Sequence, residues 1–403
     1  MRTKPLSDTP SIWVNEQECS IDAFKLIVED SLAAADFPLA AEISRNIPIY
    51  SGEALRDCLA NQASTPSANT INAYMHEWAI NFELGSGIVV IRNAYPDTRL
   101  IDEVTGVLTS LIENEESDSS NKGDHFAPAG SNSRLWNAHE KLAVTAPEIY
   151  CRYNANPILA LLSRSWLGPM YQMTAQVNLV RPGGQAQKCH RDYHLGFVSR
   201  SHLTEFPRVV HKLSAALTLQ GAIAHCDMPI ESGPTKLLPF SQRYEPGYIA
   251  AQQPEFQTYF EENYVQLALA KGDMLFFNPA TFHAAGENRT KDVQRLANLL
   301  QIGSGFGRSI ETVNTARICK TIYPVLARAK ADNVFEPFEL DSIIAASAEG
   351  YSFPTNLDSD TPTDSMIPVS EQRALQQALE EQWDNLRFNQ CLDDQARRRL
   401  SHQ

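Results

Sequence analysis

The chemistry available to this chain starts from two residues set two apart. His190 and Asp192 close the segment Gln176-Val-Asn-Leu-Val-Arg-Pro-Gly-Gly-Gln-Ala-Gln-Lys-Cys-His-Arg-Asp. On an extended backbone, positions i and i+2 face the same side, so an imidazole and a carboxylate would project together. Alone, such a pair is commonplace: a surface histidine beside an acidic cap reads the same way. A second histidine, His283, follows about 90 residues later, after the turn signal Gly272-Asp273 and an apolar run at 274–277. Arg295 then opens a further apolar run, Arg-Leu-Ala-Asn-Leu-Leu-Gln-Ile. Two imidazoles and one carboxylate are the ligand set of the non-haem Fe(II) facial triad, which fills one face of an octahedron and leaves the opposite face open. The open face suits a bidentate 2-oxo acid and O2. A downstream arginine supplies a planar fork for the far carboxylate of that acid.

These residues must be carried by strands, and the text between 171 and about 302 supplies them. Short β-branched or apolar runs bounded by turn residues predict strands at 173–180, 213–220, 264–269, 274–277 and 296–302, a spacing that fits an all-β sandwich or barrel. Upstream, residues 1–86 read as mostly helical, with helices expected at 21–35, from 51, and at 70–80. A strand at 87–92 (GIVVIR) leads through Tyr95-Pro-Asp into a helix with Leu100, Val104, Val107, Leu108 and Leu111 on one face. The polar stretch 115–133 is a long surface loop. After Gly307 the chain turns helical again at 313–330, passes an acidic Pro/Ser/Thr-rich linker at 350–370, and ends in a helix at 371–387. The domain organisation expected is therefore an N-terminal helical extension (1–86), a β core (87–303) and a C-terminal helical extension (304–403).

Composition excludes several function classes. Lys and Arg number 34 against 48 Asp and Glu, a net charge of −14, which repels phosphate and argues against nucleic acid. The one basic run, residues 397–399, reads as a solvated helix end. No apolar stretch approaches the roughly 18 residues a membrane span needs, so no membrane partner is expected. The start of the chain lacks an apolar secretory segment. Seven scattered cysteines with no CxxC pair favour free thiols in a reducing compartment, hence a cytoplasmic protein.

With these pieces in order, the sequence resembles the phytanoyl-CoA dioxygenase family of 2-oxoglutarate/Fe(II) oxygenases, which also contains ectoine hydroxylase. Four segments carry the likeness: GIVVIRNAYPDTRLIDEV, VNLVRPG with the following HRD, Glu231-Ser-Gly-Pro-Thr-Lys-Leu-Leu-Pro-Phe-Ser-Gln, and the GD, FH, N and R of the 272–295 stretch. It spans residues 87–303. The resemblance implies a double-stranded β-helix (jelly roll, cupin-like), His190, Asp192 and His283 as iron ligands, and Arg295 on the C5 carboxylate of 2-oxoglutarate. It also implies Asn178 as a polar contact to that co-substrate. The reaction implied consumes O2 and 2-oxoglutarate, releases succinate and CO2, and most simply hydroxylates a small organic molecule. Two departures stand out: Ala285 where relatives often have Ser or Thr, and Pro239-Phe-Ser-Gln in place of Pro-Gly-Ser-His. Asp192 in place of a smaller residue argues against a halogenase.

Other residues take lesser readings. His194 either faces the same cavity or packs. Tyr193 and Phe197 are expected as pocket walls or core aromatics. Arg191 should point away from the ligands, and Cys189 should pack behind them. His225-Cys226 is too isolated for a zinc site. The long polar loop, with His125, Arg134 and Trp136 in or beside it, is expected to lid the cavity. Competing with the oxygenase are a cupin-like metal-dependent isomerase or lyase, a non-oxygenase binding protein and a protein hydroxylase; Arg295 favours the oxygenase, because a 2-oxo acid needs a cation opposite the metal. No Lys/Arg cluster meets the phosphates of coenzyme A. The extensions are expected to cover the substrate or form a homodimer interface.

Overall fold

The computed structural model describes residues 11–60, 65–117, 132–362 and 365–401. Among the described residues ten strands form two sheets: β1 (Glu42–Ser44), β2 (Ile47–Ser51), β3 (Ile88–Arg92), β4 (Asn132–Leu135), β5 (Gln172–Val180), β6 (Thr218–Ala224), β7 (Lys236–Leu238), β8 (Met274–Phe277), β9 (Phe282–Ala284) and β10 (Arg295–Gly303). The major sheet runs β1-β2-β3-β8-β6-β10-β5-β4 and the minor sheet pairs β7 with β9. All pairs are antiparallel except β2 with β3. Single bridges extend the minor sheet, His190 to His283 on one side of β9 and Val265 to Leu237 on the outer side of β7. The result is the expected jelly roll, with an apolar cluster of Ile88, Val90, Met228, Leu237, Leu275 and Phe277 between the sheets.

The long strands are buried on both faces, yet their two faces differ in chemistry. On β5, Met173, Ala175, Val177 and Leu179 join the principal core, and on β10 so do Leu296, Leu300 and Ile302. That core is closed by helices from both flanks of the chain: Trp78, Ile101, Leu142, Tyr150, Leu162, Ile318, Ile343, Leu375 and Phe388 all belong to it. The alternate residues, Gln176 and Asn178 on β5 and Arg295, Ala297, Leu299 and Gln301 on β10, line the cavity instead. A period-two strand sorts apolar from polar side chains in this way wherever two different environments lie on its faces. Among the described residues no helix is long and apolar enough to cross a membrane.

Several elements differ from expectation. Residues 1–86 also hold a hairpin, β1–β2, turned by Arg45 and Asn46 at φ +52° and +63°; β2 then lies parallel to β3 and widens the major sheet. The first helix ends at Val28 rather than running to 35, and Asp30 turns away to pair with Arg243. The expected strand at 213–220 begins only at Thr218, because Arg208–Ala216 is an amphipathic helix with His211 and Ser214 buried. Residues 264–269 form no ladder: Val265 bridges to Leu237 of β7, Leu269 to Met228, and the Ala268 carbonyl accepts from Arg92 Nη1 (2.8 Å). Helices at Ala138–Thr145, Pro147–Asn154 and Pro157–Leu167 were not expected, and the last helix is two, Glu371–Glu380 and Asn385–Arg398.

Candidate metal centre and its cavity

A narrow antiparallel pair brings the two histidines together. His190 N–H donates to the His283 carbonyl (3.0 Å) and His283 N–H to the His190 carbonyl (3.1 Å), which sets their rings side by side with centroids 4.4 Å apart. Asp192, anchored by its N–H on the Pro279 carbonyl (3.0 Å), folds its carboxylate between them. Asp192 Oδ2 lies 3.3 Å from His283 Nε2 and Oδ1 3.8 Å from His190 Nε2. One ligand atom from each of the three residues falls within 4.8 Å of the others.

The surroundings fix which ring nitrogen faces inward. His190 Nδ1 lies 2.8 Å from the Lys188 carbonyl oxygen and His283 Nδ1 2.8 Å from that of Thr281. A carbonyl only accepts, so both Nδ1 atoms carry a proton and both Nε2 atoms are turned toward the carboxylate. Gln220 Nε2 donates to Asp192 Oδ2 (2.8 Å) and orients it. Burial works to raise the Asp192 pKa, but the two imidazoles and the Gln220 amide outweigh it and hold the carboxyl well below its usual range. Burial and the neighbouring His283 lower His190 against the pull of Asp192. Two imidazoles presenting Nε2 beside an ionised carboxylate are the donor set a divalent ion of the Fe(II) type takes.

Arg295 stands at the start of β10, opposite Val180. It is 6% exposed, and its Nη1 donates to the carbonyls of Ser232 (2.9 Å) and Gly286 (3.2 Å). Burial pushes it down to about 10, which leaves it charged at neutral pH, and no carboxylate pairs with it among the described residues. The turn that aims the Ser232 carbonyl needs Gly233: its φ is +72°, and a Cβ there would sit 2.3 Å from the Glu287 carbonyl oxygen. Asn178 also lines the cavity, and its buried Oδ1 has no hydrogen-bond partner.

Together these residues border a cavity of about 520 Å3, large enough for a keto diacid and a further small molecule. Arg134, Trp136, Tyr193 and Phe197 stand on its walls. The expected lid lies outside the described residues apart from its edges, Arg134 and Trp136; His125 is among those not described. His194 points away from the triad into an adjoining cavity. Arg191 does point away, its Nη2 donating to the carbonyls of Ser241 (2.5 Å) and Tyr244 (2.8 Å), and Cys189 packs among Phe24, Leu238 and Phe282. His225 lies in the core, hydrogen-bonded to Tyr153 and Thr105. Sequence reasoning missed Gln220 and the two carbonyl acceptors; the alternation of polar residues along β5 and β10 was the signal for Gln176 and Gln301.

The profile described as phytanoyl-CoA dioxygenase (PhyH) matches residues 84–297. Dioxygenase trt7 of Aspergillus terreus (strain NIH 2624 / FGSC A1156) is 28% identical over 134 residues, which cover 33% of this chain and 41% of that protein, so less than half of the relative's length is spanned. Among solved structures, the non-haem alpha-ketoglutarate-dependent epimerase SnoN from nogalamycin biosynthesis is similar over 58% of this chain and 84% of its own, at 17% identity and a TM-score of 0.39. The carbocyclase SnoK from the same biosynthesis is similar over 56% of this chain and 83% of its own, at 17% identity and a TM-score of 0.42. Since the profile covers more than half of the chain and takes in the triad and Arg295, this protein belongs to the phytanoyl-CoA dioxygenase family, whose cofactors are iron and 2-oxoglutarate.

Proposed function

We propose that this chain is an Fe(II)/2-oxoglutarate-dependent dioxygenase that hydroxylates a small organic molecule, with His190, Asp192 and His283 holding the iron and Arg295 holding the far carboxylate of 2-oxoglutarate. The observation that carries this reading is Arg295 itself: a buried guanidinium without a counter-charge, in the same cavity as a three-ligand cluster open on one side. A buried cation is costly unless an anion meets it, and the co-substrate is that anion. A cupin-like isomerase does not need a cation opposite its metal.

The chain's own contribution is placement. The Lys188 and Thr281 carbonyls keep both imidazoles in the ligating tautomer, and Gln220 keeps Asp192 turned inward. The Ser232 and Gly286 carbonyls hold the guanidinium fork at a fixed reach from the triad. Asn178 offers its unpartnered Oδ1 and its amide N–H to bound ligand. Phe277, Leu275 and Leu299 line the cavity with apolar surface and keep water scarce near the reacting centre. Iron and 2-oxoglutarate, when bound, would let O2 act as the oxidant, one oxygen atom entering the C–H bond and the other the succinate that 2-oxoglutarate becomes as it gives up CO2. The proposal treats residues 87–303 as the catalytic unit and the flanks as its support. It includes a cytoplasmic location, supported by seven cysteines none of which forms a disulfide.

The test is anaerobic addition of Fe(II) and 2-oxoglutarate. The expected result is a weak visible charge-transfer band that His283→Ala abolishes and that Arg295→Gln shifts to much higher 2-oxoglutarate, followed by succinate formation when O2 is admitted. No band at saturating ligand would transfer the protein to the isomerase or binding-protein reading.

A further inference from the structure

The cavity over the triad adjoins a second one of about 250 Å3. The two share Tyr193, Phe197 and Gln301 as a common wall, and the annex adds His194, Arg308 and Ser309. Three features make the annex a built site. The Tyr193 side chain is 3% exposed and its buried hydroxyl has no hydrogen-bond partner, though it lines both cavities. A buried hydroxyl left unpaired on a cavity wall is a donor kept for a ligand. His194 is held at φ +47°, a conformation costly for a residue with a side chain, and its Nε2 donates to the Arg308 carbonyl (3.3 Å), which ties the annex wall to the Arg308 backbone. Phe197 leaves 56% of its surface exposed, set edge to face against Tyr193 with centroids 5.6 Å apart.

Charge gives the second half of the argument. The lining of the two cavities includes four cations, Arg134, Lys188, Arg295 and Arg308, and one acid, Asp192, which belongs to the triad. The chain as a whole carries −14, so the local balance is reversed. Arg295 serves the co-substrate. Arg308 lines the annex but not the cavity over the triad, exposed, with no ion pair among the described residues.

We infer that the annex seats an anionic group at the remote end of the substrate. The substrate is then an extended, mainly apolar molecule: its reacting carbon lies over the triad, its body rests against Tyr193 and Phe197, and its carboxylate, sulfate or phosphate ester meets the Arg308 guanidinium, while the Ser309 hydroxyl is already donated to the Glu311 carbonyl (2.7 Å). This rests on the oxygenase reading for what happens at the reacting end, but not for the annex itself.

Fluorescence titration of the iron-free full chain tests it with two probes of one shape, 8-anilinonaphthalene-1-sulfonate and the uncharged N-phenyl-1-naphthylamine. The sulfonate should bind at one site with blue-shifted emission. Arg308→Glu should weaken it about tenfold or more, Arg308→Lys by no more than about threefold, and neither should move the uncharged probe. Displacement by decanoate, decyl sulfate and decyl phosphate then ranks the headgroups. Equal sulfonate affinity in wild type and Arg308→Glu would overturn the inference, as would an equal loss for both probes, since the effect would then not be one of charge. Without iron or 2-oxoglutarate present, failure here leaves the oxygenase reading intact, and failure of the charge-transfer experiment leaves the annex intact.

Discussion

The two faces of the major sheet bury polar groups in opposite ways. On the helix-covered face the groups satisfy one another: Asn298 Nδ2 donates to the Tyr153 hydroxyl (3.1 Å), which donates to His225 Nε2 (2.8 Å), while His225 Nδ1 donates to Thr105 Oγ1 (2.9 Å) and that hydroxyl to the Ile101 carbonyl (2.7 Å). Of this set only Asn298 Oδ1 is left over. On the cavity face, Asn178 Oδ1, Gln220 Oε1 and the Tyr193 hydroxyl have no partner, and Arg295 has no counter-charge. Strand β10 takes part in both arrangements, with Asn298 turned one way and Arg295 the other. Satisfied burial is architecture; unsatisfied burial in a cavity is capacity for a ligand.

The strongest way to break this contrast is Asp192→Ala. It should lower turnover by at least about 10^3-fold, yet leave the thermal midpoint unchanged or raised, because the carboxylate serves a ligand rather than the fold. A midpoint several degrees lower would mean that the triad also holds the sheets together.

Acid should act on the opposite face. Burial pushes His225 down to about 3 and His139 down to about 4, so both are neutral in the folded chain. Their folded values lie below the unfolded value of 6.5; as pH falls through 6.5 the unfolded chain takes up protons that the native chain refuses. Stability is therefore lost from about pH 6.5 down to about 4, on the order of 3 kcal/mol between pH 7 and 5 for the pair. Urea midpoints at the two pH values measure it, and an NMR titration showing either imidazole protonated in the native protein near pH 6 would refute the satisfied-face account.

Arg295→Gln should raise the 2-oxoglutarate requirement about 30- to 100-fold, near 2 to 3 kcal/mol, with a smaller change in kcat. The ligand-free variant should be at least as stable as wild type, since an uncompensated buried cation is gone. 2-Oxoglutarate at a concentration that just saturates wild type should then stabilise wild type clearly more than the variant.

How far the sequence reveals this arrangement depends on whether a role belongs to a side chain or to a backbone. His190, Asp192, His283 and Arg295 are legible because their types and order are restricted by ligand chemistry. The Lys188 and Thr281 carbonyls leave no trace, since any residue supplies a carbonyl. Gln220 becomes a neighbour of Asp192 only because β6 is inserted between β8 and β10, a long-range pairing no local pattern encodes. The strands at 274–277 and 295–303 stand out by apolar runs, whereas 208–216 reads equally as strand or helix from its valines, and tertiary packing of His211 and Ser214 decides for helix.

Glu311 tests where the boundary between the two regimes falls. It is 6% exposed, its Oε1 accepts from the Asn137 N–H (2.6 Å), and its buried Oε2 has no partner. Burial pushes its carboxyl up to about 7 from an ordinary 4.5, against the pull of the Asn137 N–H and of Lys141. Because the folded value lies above the unfolded one, the native chain holds the extra proton between pH 4.5 and 7, and the cost of ionising Glu311 grows through that window and is complete above it. Glu311→Gln removes the charge while leaving an acceptor for Asn137. The variant should match wild type in urea at pH 5 and exceed it by about 1 to 2 kcal/mol at pH 8. A variant less stable at pH 8 would show that the ionised carboxylate is compensated in solution, and would move Glu311 to the side of the sheet where buried polar groups sustain the fold.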